Sequence, residues 1–575
     1  MTSTTTPLQK AAAVIAAQRA RIDQLEQRQS APIAVIGLGC RFPGGANTPE
    51  ALWQMFRQAE RPVRELPPER LADMTPGVER LSVTRGCYLD AIDRFDAEFF
   101  GISPREARLM DPQQRILMEV VQETLEHGRL SPAALRGSRC GVFMGVMATD
   151  YANLAHRPEL MDTYTGTGTS SSLLAGRVAH HFDLRGPAVA INTACSSSLV
   201  AVHQAMAALR RGECDLALAG GVNVMLTPDV WMIEDKNGML AADGRCKPFD
   251  ENADGFGRGE GCGVVALKRL DQALADNDAI HGVLVGSAVN HDGHSSGLMV
   301  PNPHAQMAVI RAALADAGVE PACVGYVEAH GTGTRLGDPI EAEALAKALG
   351  QGRTTPLAIG SAKANLGHAE GAAGILGLLR LILTLKHRRT APLPLEGGPT
   401  SRVDWAGLGL RPAGDDVLPG QGQLVGGVSS FGFSGTNAHI VAASPPEGAR
   451  TADPLPPRAW ADTRHWVPRA ERPHAAPEVK AGSGAVHVTE WEKVELAAAP
   501  WPLGGAVIVH DGAEPARALA DALRRRGVTV VEATAGDSPA APGAGMVVLA
   551  TGQPAEDRIA LARDWANALL TAGTG

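Results

Sequence analysis

The chain has 575 residues, of which 45% are hydrophobic and 20% are charged, and its formal net charge is -9. This balance is ordinary for a folded protein of two or more domains, and the absence of a basic block argues against nucleic acid as a partner. The eight cysteines form no C-x-x-C pair and no apolar run reaches membrane-spanning length, so we expect a cytoplasmic protein with no metal site and no membrane contact.

The chain begins with a candidate docking helix. Hydrophobic residues between Leu8 and Leu25 fall on the a and d positions of about three heptads, and charged residues flank them. Because so short a coiled coil is unstable alone, residues 1–30 are predicted to be a docking or coiled-coil helix joined to a larger dimer. A single amphipathic helix packed on the body of the protein is the alternative.

Apolar runs then alternate with segments of helical periodicity, as in α/β proteins. The predicted elements are a strand from Pro32 with a Gly/Pro-rich loop after it, helices at 49–59, 104–128 and 173–182, and a strand at 141–147. The glycine spacing after the first strand does not match the dinucleotide-binding fingerprint, so we predict no dinucleotide site there.

Cys195 lies in the stretch that carries the strongest chemical signal. A short apolar run at 189–191 is followed by small residues at 193–198 and then by an apolar helix that should end at Gly212. Cys195 is therefore predicted on a strand-to-helix turn, where unpaired N–H groups and the helix dipole favour a thiolate. A buried structural cysteine is the alternative.

Three further strands are predicted at 215–224, 261–267 and 282–289. Residues 236–260 between the first two are rich in glycine and charge, and they predict a long surface loop near the mouth of the site. The G-H-S-S-G sequence at 293–297 matches a nucleophile elbow, but two prolines follow it and oppose the helix that an elbow needs. Ser295 is therefore not predicted as a nucleophile.

Two histidines repeat the layout of a strand followed by a reactive residue. His330 ends the predicted strand that begins at Val324, and a Gly/Thr-rich loop and a helix at 339–349 follow it. Lys363 and His368 follow a strand from Leu357 and precede a long apolar helix. With Cys195 in a similar setting, these histidines predict catalysis rather than core packing. A final Gly-rich turn within 426–441 could supply backbone oxyanion donors.

With these segments in hand, the sequence resembles the β-ketoacyl synthase (ketosynthase) domain of modular type I polyketide synthases. The matching motifs are T-A-C-S-S-S at 193–198, E-A-H-G-T-G-T at 328–334, K-A-N-L-G-H at 363–368 and G-F-S-G at 432–435. The resemblance runs from about 31 to 443. It implies an α/β, thiolase-like fold with a five-layered α-β-α-β-α core built from two similar halves, and a homodimer.

The resemblance also implies roles for individual residues. Cys195 would be the nucleophile, while His330 and His368 would assist decarboxylation and stabilise the enolate oxygen. Lys363 would orient His368 and tune the charge of the site. The N–H groups of Cys195 and Phe433 would form the oxyanion hole, and Phe433 would gate the second substrate. The expected substrate-binding residues are Thr332, Thr334, Asn365, Phe431 and Gly432.

The implied function is polyketide chain extension. An upstream acyl carrier protein would pass an acyl chain to Cys195, and a decarboxylative Claisen condensation with a malonyl-type carrier protein would follow. No cofactor would be bound directly, because phosphopantetheine arrives on the carrier proteins. An acyltransferase outside this chain would load the extender, and an upstream polyketide synthase subunit would bind the N-terminal helix.

Two alternatives to chain extension stay open. One is a ketosynthase that does not elongate but passes chains on, or that forms another kind of carbon–carbon bond. The other is a scaffold or docking module. Cys195, His330 and His368 are all present, which favours chemistry. Asn192 stands where the family usually has Asp, and we expect this to alter local hydrogen bonding rather than activity.

The predicted domain organisation has four parts. They are the N-terminal helix at 1–30, the ketosynthase domain at 31–444, a Pro/Arg-rich linker at 445–485 and a partial α/β domain at 486–575. The last part is predicted to contain strands at 486–491, 506–509, 528–532 and 546–550 and helices at 515–526 and 556–570. It resembles the structural half of a ketoreductase domain, or else a small linker domain, and we expect its end to be a cut boundary.

Overall fold

The structure is a computed structural model that describes residues 14–16, 18–19, 29–71, 78, 81–450, 456, 458–468, 505–510, 524, 529–533 and 546–550. The chain divides into two compact units, Met1–Ala470 and Glu471–Gly575. The predicted N-terminal coiled coil lies outside the described residues apart from 14–16 and 18–19, which are helical and exposed. No helix in the described part is long and apolar enough to cross a membrane.

Eleven strands of the first unit, all within its described residues, form one sheet. They are β1 Ile33–Arg41, β2 Cys140–Gly145, β3 Ala188–Ile191, β4 Leu216–Asn223, β5 Gly261–Arg269, β6 Gly282–His291, β7 Val324–Glu328, β8 Leu357–Gly360, β9 Leu410–Pro412, β10 Val425–Phe431 and β11 Thr436–Ala443.

Helices cover both faces of this sheet. They are α1 Pro49–Arg57, α2 Pro68–Leu71, α3 Pro104–Leu109, α4 Pro112–His127, α5 Pro132–Leu135, α6 Asp150–Ala155, α7 Thr165–Thr169, α8 Ser172–Phe182, α9 Ser197–Arg211, α10 Asp229–Lys236, α11 Leu270–Ala275, α12 Pro303–Ala317, α13 Gly337–Leu349, α14 Lys363–Leu366 and α15 Ala373–Lys386, with 3₁₀ turns at Pro321–Cys323 and Glu370–Ala372.

The strand order shows that the fold is a duplication. The order β3-β2-β4-β5-β1 in the first half is followed by β6-β11-β10-β7-β8 in the second, with β9 added at the edge. From β3 to β1, the pairings are two parallel followed by two antiparallel. From β8 to β6, read in the opposite direction along the sheet, they are also two parallel followed by two antiparallel. They join where β1 pairs with β6 over three residues. The predicted two similar halves are therefore confirmed.

The helices and half-sheets form five layers. In the middle layer, α9 packs on β2 and β4 and reaches β11, while α15 packs on β10 and β7 and reaches β5. On the outside, α4 and α8 cover the first half-sheet, and α12, with α13 on it, covers the second. Separate apolar clusters fill the middle and the two outer interfaces. This is the thiolase-like α-β-α-β-α arrangement that the sequence predicted.

Local capping explains one difference from the predicted helices. The single helix expected at 104–128 is two, because α3 ends at Leu109 and α4 begins at Pro112. The Asp111 carboxylate accepts a hydrogen bond from the Gln113 N–H, and Pro112 has no N–H to continue the earlier helix. The predicted end of α9 at Gly212 is confirmed by its left-handed φ of 74°.

The prediction of a surface loop at 236–260 is wrong, because most of this segment after residue 240 is buried. Its glycines allow close packing, as where a Cβ on Gly257 would lie 1.9 Å from the carbonyl oxygen of Gly244. Its charges are paired inside the protein, as in the buried ion pair of Glu260 with Arg70. Glycine and charge content therefore marked tight internal packing here rather than exposure to solvent.

The described residues of the predicted linker, up to residue 468, lie within the first compact unit. Residues 458–468 pack along α4 and its neighbours. The Trp460 indole donates a hydrogen bond of 2.7 Å to Glu123, and Trp466 packs edge-on against Tyr151 with ring centroids 5.3 Å apart.

Three strands are described in the second unit, β12 Gly505–His510, β13 Thr529–Ala533 and β14 Met546–Ala550. They form a parallel sheet in the order β13-β12-β14. The strands predicted at 506–509, 528–532 and 546–550 are confirmed. The predicted strand at 486–491 and the helices at 515–526 and 556–570 lie outside the described residues, apart from Arg524.

The crossing of α9 and α15 gives a stability prediction. A Cβ on Gly374 would lie 2.9 Å from both the Cβ and the backbone nitrogen of Leu199. We expect Gly374→Ala to lower the free energy of unfolding by about 1–3 kcal/mol, measured by urea denaturation, because the helices must separate. Gly176→Ala in α8 is the control, since its nearest atom is 3.8 Å away. Equal stability of the two variants would contradict the close crossing.

Candidate active site

A strained turn between β3 and α9 presents Cys195. Ala194 has a φ of 58°, in the left-handed region that residues with a Cβ rarely adopt. The Thr193 N–H donates to the Ser197 hydroxyl oxygen at 2.9 Å, and that hydroxyl donates to the Ala194 carbonyl at 2.6 Å. These bonds hold the turn so that Cys195 precedes the first residue of α9 by two positions.

Asn192 acts within this turn. Its side-chain oxygen accepts a hydrogen bond of 3.1 Å from the Ala194 N–H. An aspartate at this position would offer the same acceptor with a negative charge. The departure from the usual family residue is therefore a local change in the hydrogen bonding of the turn.

His330 lies two residues beyond the end of β7. The Glu341 carboxylate, from α13, accepts the backbone N–H groups of His330 and Gly331 at 2.7 and 2.8 Å. The Phe431 N–H, from the end of β10, donates to Nδ1 of the His330 ring at 3.3 Å. Because Nδ1 is the acceptor, the proton of the neutral ring is on Nε2.

His368 is held in the same tautomer by a different segment. The backbone N–H of His368 donates to the Gly257 carbonyl at 2.7 Å, and the Gly259 N–H donates to the backbone carbonyl of His368 at 2.9 Å. The Glu370 N–H donates to Nδ1 of its ring at 2.9 Å. The His330 and His368 ring centroids are 5.7 Å apart at an interplanar angle of 80°. Each ring therefore offers an N–H donor at Nε2.

Burial keeps both rings neutral. It lowers the pKa of His330 and that of His368 well below the ordinary value, and the positive charge of Lys363 lowers both further. At neutral pH the pair consists of uncharged hydrogen-bond donors.

Lys363 lies behind His330 and is almost fully buried. Its ammonium donates a hydrogen bond of 2.6 Å to the His330 carbonyl oxygen. Its effect on His368 is electrostatic, whereas its hydrogen bond positions the backbone of His330. Burial lowers the pKa of Lys363, and the nearby Glu328 and Glu341 carboxylates oppose that shift.

Burial of Cys195 favours the thiol form of its side chain, in contrast to the thiolate that the start of the helix was expected to favour. Burial raises the pKa of Cys195 to about 12, and the hydrogen bond from the Phe433 backbone N–H only partly opposes this. The dipole at the start of α9 does not offset the rise in the pKa of Cys195 that results from removing the sulfur from water. The Ser430 hydroxyl donates to the Cys195 carbonyl at 2.8 Å and ties the turn to β10.

One cavity of about 550 Å³ collects most of the predicted site residues. The predicted residues on its wall are Cys195, His330, Thr332, Thr334, His368, Phe431, Gly432 and Phe433. The exposed fraction of Phe433 is 42%. In the described part of the chain, no group of three or more His, Cys, Asp or Glu side chains is arranged to hold a metal ion.

Asn365 was predicted to bind substrate, but it is not among the residues that the structure brings to the cavity. Its side chain is fully buried and is not on the cavity wall. The amide donates to the Glu60 carbonyl at 3.0 Å, and Arg380 donates to the amide oxygen at 3.3 Å. Asn365 therefore joins α14 to the loop after α1.

Several residues of the cavity were not predicted. The apolar part of its wall includes Met147, Met239 and Phe256, and the Phe256 ring lies 5.2 Å from that of His368. Six acidic residues also line the cavity, and they are Glu234, Asp254, Asp292, Asp338, Glu341 and Glu370. A signal existed for Phe256, which is an aromatic residue inside a Gly-rich stretch, but that stretch was assigned to a surface loop.

Two family models match the chain. The N-terminal domain of β-ketoacyl synthase matches residues 30–273, and the C-terminal domain of β-ketoacyl synthase matches residues 281–394.

Curated relatives belong to polyketide synthases. The chain is 49% identical over 421 residues to one of the subunits of the phenolphthiocerol/phthiocerol polyketide synthase of Mycobacterium tuberculosis, a match that covers 71% of this chain and 22% of the relative. It is 46% identical over 442 residues to an erythronolide synthase of Saccharopolyspora erythraea, covering 76% of this chain and 14% of that one. The chain thus spans about a fifth or less of the length of these relatives.

Solved structures of ketosynthases are similar over most of their length. The ketosynthase from module 6 of the bacillaene synthase of Bacillus subtilis 168 is 37% identical, with a TM-score of 0.67 and coverage of 72% of each chain. An oxazolomycin ketosynthase domain of Streptomyces albus JA3453 is 36% identical, with a TM-score of 0.68 and coverage of 73% of this chain and 76% of that one. The chain therefore belongs to the β-ketoacyl synthase family, as a ketosynthase of the kind found in modular polyketide synthases.

Proposed function

We propose that this ketosynthase extends an acyl chain held on Cys195 by decarboxylative condensation with a malonyl-type thioester. The observation that carries the proposal is that two neutral imidazoles, both with the proton on Nε2, share one cavity with a cysteine on a strand-to-helix turn. A thiol can hold the acyl chain, and two N–H donors can receive the negative charge that decarboxylation creates.

The first step is thioester exchange. The Cys195 sulfur attacks the carbonyl carbon of the incoming thioester, and the backbone N–H groups of Cys195 and Phe433 stabilise the negative oxygen. The carbon–sulfur bond to the phosphopantetheine arm breaks, and the proton of the Cys195 thiol ends on the departing thiol. The exchange is close to thermoneutral, since one thioester replaces another.

The second step is decarboxylation and attack. The malonyl-type thioester loses CO₂, and the electron pair moves to the thioester oxygen as an enolate. The Nε2–H groups of His330 and His368 stabilise that oxygen, and one such donor is typically worth about 3–4 kcal/mol. The enolate carbon attacks the acyl carbonyl and expels the Cys195 thiolate, which takes up a proton from solvent to regenerate the thiol. The product is a β-ketoacyl thioester on the carrier protein.

The partners of this reaction are carrier proteins that deliver phosphopantetheine arms. The hydroxyl oxygens of Thr332 and Thr334 lie 3.3 Å apart on the cavity wall and can hydrogen-bond the amides of such an arm. Under this proposal an acyltransferase outside the chain supplies the extender, and an upstream synthase subunit binds the N-terminal helix.

We also propose a homodimer through the edge of the sheet at β3. This strand is at the end of the strand order, and the exposed fraction of Val189 in it is 40%. An exposed apolar edge strand is a ready surface for pairing with a second copy. Because β3 leads into the turn of Cys195, the dimer would support the site from outside.

The proposed function is tested by incubating the full chain with an acyl thioester and malonyl-carrier protein. CO₂ should be released, and mass spectrometry should detect the β-ketoacyl carrier protein. We expect His330→Ala and His368→Ala each to slow CO₂ release by about 10²–10³-fold, because each removes one enolate donor. His294→Ala, which changes an exposed histidine outside the cavity, should have no effect. Cys195→Ala should abolish acylation.

Other outcomes of this assay separate the alternatives. Acylation of Cys195 without CO₂ release would favour a ketosynthase that only passes chains on. No acylation of the wild-type chain would favour a scaffold and would contradict the proposal.

The raised pKa of Cys195 predicts the pH dependence of its reactivity. Because the thiolate is the nucleophile and the pKa is about 12, the alkylation rate of Cys195 by iodoacetamide should rise roughly tenfold for each pH unit between about pH 7 and about pH 9. Peptide mass spectrometry measures the alkylation of Cys195. The exposed Cys323 is the control for the reactivity of iodoacetamide at each pH. A plateau below pH 8 would show that a thiolate is already formed, against this assignment.

The dimer proposal predicts the effect of a charge on β3. Val189→Lys should shift the chain from dimer to monomer in light scattering, because it places a charge where the second copy would pack. Val417→Lys is the matched control, since this valine is 67% exposed away from β3. If both variants keep the wild-type mass, the interface lies elsewhere.

A further inference from the structure

One acidic side chain on the cavity wall has no role in the chemistry proposed above. Glu234 lies in α10, and its exposed fraction is 8%. It lines the same cavity as Cys195, on a wall that also contains the apolar side chains of Met147, Met239 and Phe256. A carboxyl group on such a wall costs free energy unless something pairs with it.

A buried arginine fixes the position of this carboxyl group. Nε of Arg258 is 3.0 Å from Glu234 Oε2, and Nη2 of Arg258 is 2.6 Å from Glu370 Oε1. The Trp231 ring packs against the guanidinium, with its centroid 4.3 Å away. Arg258 is therefore shared between two carboxyl groups, and its Nε hydrogen bond goes to Glu370 rather than to Glu234.

The Glu234 carboxyl has unused hydrogen-bonding capacity. Within the described residues it makes the ion pair with Arg258 and no hydrogen bond. Burial raises the pKa of the Glu234 carboxyl group above its ordinary value, and the positive charge of Arg258 opposes this shift.

We propose that Glu234 is a specificity-determining residue that binds a hydroxyl group on the acyl chain carried by Cys195. This inference rests on the proposed function. A hydroxyl group both donates and accepts, so it pairs with the carboxyl group in either protonation state. A saturated chain would cover the carboxyl group and leave it without a hydrogen-bond partner. Burying an unpaired polar group costs free energy, so the saturated chain would bind less well. A keto oxygen only accepts hydrogen bonds, so it pairs with the protonated acid alone. An ammonium group would bind less well, because burying its charge costs free energy of hydration.

The test compares chains that differ only in a hydroxyl group. The full-length protein is incubated with the N-acetylcysteamine thioester of octanoate and with octanoyl thioesters hydroxylated at the third, fifth or seventh carbon. The rate of Cys195 acylation is followed by mass spectrometry. We expect kcat/KM for at least one hydroxylated chain to exceed that for octanoate roughly tenfold in the wild type.

Variants separate recognition from packing. Glu234→Leu should bring the ratio of hydroxylated to saturated chain to about one, whereas Glu234→Gln should keep a preference, because the amide still donates and accepts. Met239→Leu alters the neighbouring apolar wall without changing polarity and should leave the ratio unchanged. The ratio of kcat/KM for the two chains is measured on the same variant, so it does not change if a part of that variant is unfolded.

Two results would overturn the inference. One is a wild-type protein with no preference for any hydroxylated chain, and the other is a Glu234→Leu variant that keeps the wild-type preference. In either case efficient acylation by octanoate would leave the proposed function standing, whereas failure of every thioester to acylate Cys195 would remove the proposed function as well.

Discussion

Two backbone hydrogen bonds to imidazole nitrogens determine what this site can do. The Phe431 N–H occupies Nδ1 of His330, and the Glu370 N–H occupies Nδ1 of His368. Each ring must then carry its proton on Nε2, and burial beside Lys363 keeps both rings uncharged. The rings are thus fixed as donors and have no free lone pair with which to act as bases. In the proposed acylation of Cys195, the thiol proton therefore has to leave with the departing group.

The duplication of the fold explains how distant segments meet. By strand order, β3 in the first half corresponds to β8 in the second half. Cys195 follows β3, and Lys363 and His368 follow β8, so equivalent positions in the two halves carry the proposed nucleophile and an imidazole. The central helices α9 and α15 meet closely at Gly374, which brings these two positions together. His330, after the neighbouring strand β7, completes the set.

Sequence patterns identified the parts of this site that depend on local structure. Cys195, His330 and His368 each follow a strand in a glycine-rich or small-residue turn, and they line one cavity. The state of the thiol was not predictable, because its pKa depends on burial by segments far away in sequence. Asn365 is in a matching motif, yet its contacts with Glu60 and Arg380 arise only in the folded chain. Glu234 gave no signal, because its partner Arg258 is also distant.

The proposed chemistry requires both imidazoles to be neutral donors with the proton on Nε2. Solid-state ¹⁵N NMR of the protein with labelled histidine tests it directly, with His330→Ala and His368→Ala variants to assign the signals. We expect both rings to show a protonated Nε2 and an unprotonated Nδ1, unchanged between about pH 6 and about pH 8. A signal from either ring that titrates within this range, or a proton on Nδ1, would contradict it.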